Sequence, residues 1–230
     1  MGGAAGKPRQ PSSDARRAGL AWAALGAVLI IGCGESPDVK ARSNDPPERV
    51  AAVQELARDG SEAALAQLEP LAAHEDPRTA LEACRAISRT PRPRAARALA
   101  GVLRADRRPE IRLEAAIQLG YRPQREAAEA LRRAVEADAE PRVRAAAAAS
   151  LGKIGDLADV PLLVRVAETA ADPLLEAAAV EAVERIVRMG FCYDRAASEE
   201  DRRQAVRRMR FWALRAAAAI REKRKEEGRP

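Results

Sequence analysis

The feature that most constrains the fold is a proline that returns every 31 or 32 residues through the middle of the chain. Three further columns keep this register: residues six and seven after each proline are Ala, Val or Cys, the tenth is aliphatic, and the twenty-second after each of the first four is leucine. A period of this length indicates an array in which each unit is one supersecondary motif. The five prolines are Pro46, Pro77, Pro109, Pro141 and Pro173.

Each unit has the pattern of two helices. Proline suits a first helical turn, and apolar residues follow it at helical spacing before a break and a second amphipathic stretch. The composition agrees, because 54 of 230 residues are Ala and only 3% are aromatic, which excludes a β-sandwich or barrel. Short helix pairs cannot bury their apolar faces alone, but stacked pairs share one core. The sequence therefore predicts an all-α solenoid of about five helical pairs, with breaks at Asp59–Gly60, Thr90–Pro91, 120–123 and 152–156.

The fourth unit, from Pro141 to Glu168, resembles the HEAT-like repeat of phycobilisome lyases. The resemblance covers about residues 46 to 190 and implies a right-handed α-solenoid. It also implies that an arginine three places after the proline braces neighbouring turns through an acidic residue, although Ala80 and Glu176 stand in that column. The matching residues are Pro141, Val143–Arg144, Leu151–Gly152, Ile154–Gly155–Asp156 and Val160–Leu163.

The C-terminal segment, residues 195–230, departs from the repeat. Ser198 and Asp201 form a capping-box-like start for a helix that we expect to run to about Lys225 and to cap the array. We expect three aromatic residues to cover the last repeat: Phe191 in the turn before this helix, and Phe211 and Trp212 within the helix. The segment carries 12 basic and 6 acidic residues, so it is either a solvated helix face or a contact for anionic lipid.

The N-terminal residues have the pattern of a targeting signal. Four basic residues precede an uncharged run, and the run ends in Ile30-Ile31-Gly32-Cys33, which resembles the lipobox of bacterial lipoproteins. The resemblance implies a cleaved signal peptide (1–32), a lipidated Cys33 with a flexible tether (33–45), and the repeat array (46–194) before the C-terminal segment. Gly34 favours the outer membrane, facing the periplasm. The alternative is an uncleaved transmembrane anchor.

The sequence offers little catalytic chemistry. The single histidine, His74, excludes a two-histidine metal site, and we interpret it as a helix-end cation. Cys84 falls in a buried column, and its distance from Cys192 along the array argues against a disulfide. We therefore expect no catalytic residue, metal or cofactor. Nucleic acid is also not expected, because the chain outside the leader carries only about +3 and few aromatic residues can stack bases.

The remaining candidate site is the face of each first helix formed by residues one, five and eight places after the proline. We expect this face to be concave and to bind a partner. Its charged members lie at one end, and the last two units present mostly Ala and Leu174. The predicted function is a membrane-tethered scaffold for an envelope protein or peptide, and the alternative is a lyase-like or chromophore-handling repeat protein. The candidate binding residues are Arg78, Glu82, Arg85, Glu110, Glu114 and Arg142.

Overall fold

The computed structural model describes residues 36–226, so the predicted signal peptide and Cys33 lie outside the described residues. The described part consists of α-helices, one short 3-10 turn and connecting loops, without a strand. The α-helices are α1 Pro37–Ala41, α2 Pro46–Asp59, α3 Glu62–Ala72, α4 Pro77–Arg89, α5 Pro93–Ala105, α6 Pro109–Leu119, α7 Arg125–Ala137, α8 Pro141–Ile154, α9 Val160–Thr169, α10 Pro173–Val187 and α11 Glu199–Glu226.

The helices stack in two rows, as a solenoid requires. Each helix that begins at a repeat proline contacts the next such helix, so α2, α4, α6, α8 and α10 form the first-helix row. The intervening helices α3, α5, α7, α9 and α11 form the second-helix row, and each of the first four packs against the first helix of the next unit. The prediction of an all-α solenoid is confirmed.

The repeating columns form the core. Every residue at six, seven and ten places after the five prolines is buried, from Ala52 and Leu56 in the first unit to Val183 in the last. The leucine column of the second helices is completely buried as well: Leu68, Leu99, Leu131 and Leu163. Because each unit contributes its apolar stripe to its neighbours, one continuous core runs along the array.

Small residues set how closely the first helices approach one another. A Cβ added at Gly152 would lie 2.6 Å from the Ala182 Cα, and one at Gly120 would lie 2.7 Å from the Ser150 Oγ. The predicted break at 152–156 is therefore wrong in its first residues: α8 continues to Ile154, and Gly152 lies inside it at the crossing with α10. The glycine there serves close packing rather than a turn.

Ion pairs follow the implied arginine column at Arg49 and Arg112, whereas Arg144 donates to the Val135 carbonyl at 3.0 Å instead. Arg112 donates to both oxygens of Asp138, at 2.9 and 2.8 Å, and so ties α6 to the turn between α7 and α8. Where Ala80 leaves the column empty, Arg108 donates to the carbonyls of His74 and Glu75, at 2.7 and 3.0 Å. A second arginine thus takes over the same role.

In the last unit the polarity of this brace is reversed. Glu176 stands in the arginine column and accepts from Arg202 Nε of α11 at 3.2 Å and from the Tyr193 hydroxyl at 2.9 Å. Burial, followed by the hydrogen bond to Glu176, raises the pKa of Tyr193. The C-terminal helix is therefore attached to α10 through the Arg202–Glu176 contact.

Part of the predicted flexible tether has regular structure. Residues Pro37–Ala41 form α1, which packs on α2, and Lys40 Nζ lies 2.8 Å from Glu55 Oε1. Arg49 Nη1 donates to the Ser43 carbonyl at 2.7 Å, which ties the following turn to the same helix. The polar composition that suggested a tether instead supplies partners for α2.

The C-terminal helix α11 caps the second-helix row by packing against α9. Met209 and Val206 are buried, and the Phe191 and Trp212 rings meet edge to face with centroids 5.7 Å apart. The placement of Phe211 is wrong, since 62% of it is exposed. The capping box is formed only in part: Ser198 Oγ accepts from the Asp201 N–H at 3.2 Å, while the Asp201 carboxylate accepts from that hydroxyl at 2.6 Å.

Candidate functional site

The charged end of the predicted binding face is a network of side chains on α4 and α6. Arg85 donates to both oxygens of Glu114, at 3.0 and 3.2 Å, and to Glu82 Oε1 at 2.7 Å. The Gln118 amide donates to Glu114 at 2.8 Å and accepts from the Ser88 hydroxyl at 2.6 Å. The hydrogen bond to Glu114 is the main reason that the pKa of Arg85 is raised.

The network changes the interpretation of Glu114. We expected this residue to face a partner, but only 8% of it is exposed, and its carboxylate is held by Arg85 and Gln118. A buried carboxylate needs such partners, because burying an unpaired charge is costly. Glu114 and Arg85 therefore connect neighbouring units, and substituting Arg85 would leave Glu114 without its cation.

The other predicted residues remain at the surface. Arg78 and Glu110 are exposed at the starts of α4 and α6, and Arg142 is exposed at the start of α8. The structure does not bring these three residues into one cluster with the Arg85 network through hydrogen bonds or ion pairs among the described residues. Of the three, Arg142 borders the groove described next.

The alanine-rich end of the same face is an apolar groove of about 340 Å³ between α6, α8 and α10, which we call the first-helix groove. Leu174 is 41% exposed there and stands over a floor of alanines. Most of the lining residues belong to the one, five and eight columns, because those positions point away from the buried stripe. The apolar lining consists of Leu113, Ile117, Ala145, Ala146, Ala149, Leu174, Ala177 and Ala178, and Arg142, Glu181 and Arg195 supply the polar rim.

The residues considered for chemistry have structural surroundings. His74 lies in the turn after α3, and its Nδ1 accepts a hydrogen bond from the Asp76 N–H at 3.0 Å. Cys84 is completely buried, and burial raises the pKa of its thiol to about 12. Cys192 is exposed, and both thiols are free.

Within residues 36–226, no group of three or more His, Cys, Asp or Glu side chains could hold a metal ion. In the same part of the chain, none of the helices combines the length and apolar character that a membrane span requires.

Sequence reasoning missed a candidate site on the second-helix row. Two depressions of about 460 and 690 Å³ adjoin α5, and both are lined by Arg97 and Gly101. The available signal was Gly101 itself, since glycine inside a helix is unfavourable without a packing reason. Arg97 and Arg104 stand four residues before and three after it, on the same side of the helix.

The comparisons with known proteins agree with this architecture. HEAT repeats match residues 39–112 and 101–184. In the solved complex of CpcE and CpcF of phycocyanin lyase from Nostoc sp. PCC7120, one chain is similar with a TM-score of 0.51 and 21% identity, over 70% of this chain and 68% of that chain. A designed armadillo repeat protein, YIII(Dq)4CqI, is similar with a TM-score of 0.47 and 16% identity, over 78% of this chain and 100% of that chain. No curated protein is significantly similar in sequence. Since the repeat match spans more than half of its length, the chain belongs to the HEAT-repeat family.

Proposed function

We propose that this protein is a scaffold of the bacterial cell envelope, tethered to the membrane through an acylated Cys33, that binds a protein or peptide without catalysis of its own. The observation that carries the binding proposal is the apolar groove between α6, α8 and α10. An apolar surface that a fold leaves open, rimmed by polar residues, is typical of an interaction site.

The shape of the groove suits an apolar segment of a partner. Its floor is built from alanine, so it can receive larger aliphatic side chains, and Leu174 offers one large apolar contact at its edge. Arg142 and Arg195 at the rim can meet carboxylates of the partner, and Glu181 can meet a cation. These features favour an amphipathic helix or an extended segment with apolar side chains on one side.

The similarity to a phycocyanin lyase chain is the reason to keep a lyase-like or chromophore-handling function as the alternative. Such a function calls for a reactive cysteine or acid in a pocket. Cys84 is a poor candidate, because its raised pKa keeps the thiol protonated, and neither Cys84 nor Cys192 lines the first-helix groove. Neither cysteine therefore supports the alternative, and the apolar lining of the groove favours the binding proposal.

The tether is tested with Cys33→Ser. The variant should lose metabolic labelling with palmitate and accumulate as an uncleaved precursor, because the thiol is the acylation site of the lipobox. Normal processing and labelling of the variant would contradict the lipoprotein proposal. A Cys192→Ser variant is the matched control and should be labelled like the unaltered protein.

The binding face is tested by affinity capture from solubilised envelope, followed by quantification of stoichiometric partners. Leu174→Glu places a charge at the edge of the groove and should abolish capture. Leu157→Glu is the control, because Leu157 is also an exposed leucine but does not line the groove. Equal capture by both variants would show that the partner does not bind at this face.

A further inference from the structure

The second-helix row carries a surface that the proposed function does not use. The two depressions beside α5 lie on either side of Gly101, one towards α7 and the other towards the end of α3. The second helices are unevenly spaced there, because α5 packs more closely against α7 than against α3. Together the depressions form one trough across α3, α5 and α7, which we call the α5 trough.

Gly101 in the middle of this trough has no internal explanation. The other helix-interior glycine, Gly152, is required because a Cβ would collide with Ala182, whereas a Cβ at Gly101 would meet nothing within 4 Å. Glycine is the least favourable residue after proline in a helix interior, so its presence there weakens α5 without improving the packing of this chain. A missing side chain at an open helix surface allows another backbone to come close.

The floor of the trough is apolar on both sides of Gly101. It is built from short side chains of α5 and α7, including Ala98, Val102, Ala105, Ala130 and Ala134, and from Ala73 just after α3. None of the lining residues is aromatic. Such a floor can accept small aliphatic side chains, but it offers no ring on which a nucleotide base could stack.

The rim of the trough has an excess of cations. Its carboxylates are mostly occupied by arginines: Glu69 by Arg94, Asp106 by Arg108, Glu129 by Arg125 and Asp138 by Arg112. Among the described residues, four arginines that line the trough have no carboxylate partner. Only two lining glutamates, Glu75 and Glu126, have no cationic partner in the same part of the chain, so unpaired positive charges outnumber unpaired negative ones. These four arginines are Arg97, Arg104, Arg107 and Arg133.

We propose that the α5 trough binds an extended, acidic segment of a partner protein that crosses α5 over Gly101. Stacked helices lie about 8–10 Å apart, so a path from α3 to α7 is roughly 20 Å long and needs about six extended residues. Carboxylates of the segment pair with Arg97, Arg104 and Arg133, while small apolar side chains between them enter the two depressions. The backbone of the segment passes closest to α5 where the Cβ is missing.

The probe for this proposal is a dye-labelled peptide of about eight residues in which Glu alternates with Ala or Leu, a length that covers the roughly six-residue path. Its partner probe carries Lys in place of Glu. Fluorescence anisotropy with the full chain at low ionic strength should show binding of the Glu peptide and not of the Lys peptide. Equal binding of the two peptides, or binding of neither, overturns the proposal.

Charge reversal locates the site. The double variant Arg97→Glu and Arg104→Glu should weaken binding of the Glu peptide by about tenfold or more, because rim charges act directly on the peptide carboxylates. The control double variant, Arg58→Glu and Arg89→Glu, changes the net charge equally at two exposed positions outside the trough. If both double variants weaken binding of the Glu peptide equally, net charge alone explains the effect and the proposal is overturned.

Gly101→Leu tests the close approach of the backbone. The substitution fills open space and improves helix propensity, so the protein should fold at least as stably while binding of the Glu peptide falls about tenfold. Unchanged peptide binding by Gly101→Leu contradicts the proposal. Competition by an oligothymidylate with the same dependence on Arg97 and Arg104 would assign the trough to nucleic acid instead. Leu174→Glu should leave this binding intact, which separates this test from that of the first-helix groove.

Discussion

At the scale of single residues, Arg122 shows how a charge can be buried without a carboxylate. Only 7% of the residue is exposed, and its guanidinium donates to the carbonyls of Ile87, Ser88 and Thr90 at the end of α4. Burial lowers the pKa of Arg122, and the pole of negative partial charge at the end of α4 offsets part of that cost. Arg122, in the loop after α6, thereby caps the C-terminal end of α4 in the preceding unit.

We predict that Arg122→Met destabilises the protein by about 2–4 kcal/mol, since three carbonyl groups lose their donor together. Arg125→Met, at an exposed ion pair with Glu129, should change stability by less than about 0.5 kcal/mol. Urea denaturation of both variants measures the difference. A loss at Arg122 no larger than at Arg125 would show that water satisfies these carbonyls equally well.

The Asp106–Arg108 pair makes stability depend on pH. The side-chain hydrogen bond from Arg108 is the main cause that lowers the pKa of Asp106 below its ordinary 3.8. A carboxyl group with a lowered pKa in the folded state stabilises the fold above its unfolded pKa, and this stabilisation is lost as the pH falls through the folded value.

We therefore predict that Asp106→Asn costs about 1–2 kcal/mol near neutral pH and that its difference from the unaltered protein shrinks below about pH 4. Urea denaturation at a series of pH values gives the measurement. Glu136→Gln, at an exposed ion pair with Arg165, is the control and should show little loss at any pH. A deficit of Asp106→Asn that persists unchanged in acid would mean that packing, not charge, is the cause.

At the scale of elements, the helix pairs were predictable and the helix ends were less so. Proline spacing and the alanine and leucine columns identify the units because burial of one stripe per helix is periodic in sequence. The residues that brace the units are not periodic: Arg108 replaces the arginine missing at Ala80, and Glu176 reverses the pair. Such exchanges depend on contacts between units, which a local pattern does not contain.

The candidate site was predictable to a similar extent. The columns that point away from the core follow from helical geometry, and Leu174 and Arg142 of these columns line the first-helix groove. The burial of Glu114 was not foreseen, because it requires Arg85 of the preceding unit to reach across. The α5 trough was missed because it results from uneven spacing between second helices.

Two glycines in helix interiors lead to opposite predictions. Gly152→Ala should destabilise the array by about 1–3 kcal/mol, because the added Cβ would meet the Ala182 backbone and force α8 and α10 apart. Gly101→Ala should stabilise it by about 0.5–1 kcal/mol, because its Cβ enters open space and helix propensity improves. Thermal and urea denaturation of the two variants measure both signs. Two effects of the same sign would contradict this account of the helix crossings.

At the scale of the whole molecule, stability is shared between neighbours. The first helices α4, α6 and α8 each contact the first helices before and after them, and no unit of the described array can bury its stripe alone. The ends are closed by α1 on α2 and by α11 on α9. Damage in the middle should therefore spread outward from the affected unit rather than unfold the array in one step.

We test this with Leu131→Asp in α7, where the side chain is completely buried in the continuous core. A buried, unpaired carboxylate costs more than about 3 kcal/mol, so the unit containing α6 and α7 should open, together with α8 and α9 next to it. Hydrogen exchange should show loss of protection over residues 109–169 first, while α2 to α4 keep theirs. Leu214→Asp, at a leucine exposed on α11, is the control and should leave every segment protected. Uniform loss of protection along the chain of Leu131→Asp would mean that the array unfolds as a single cooperative unit.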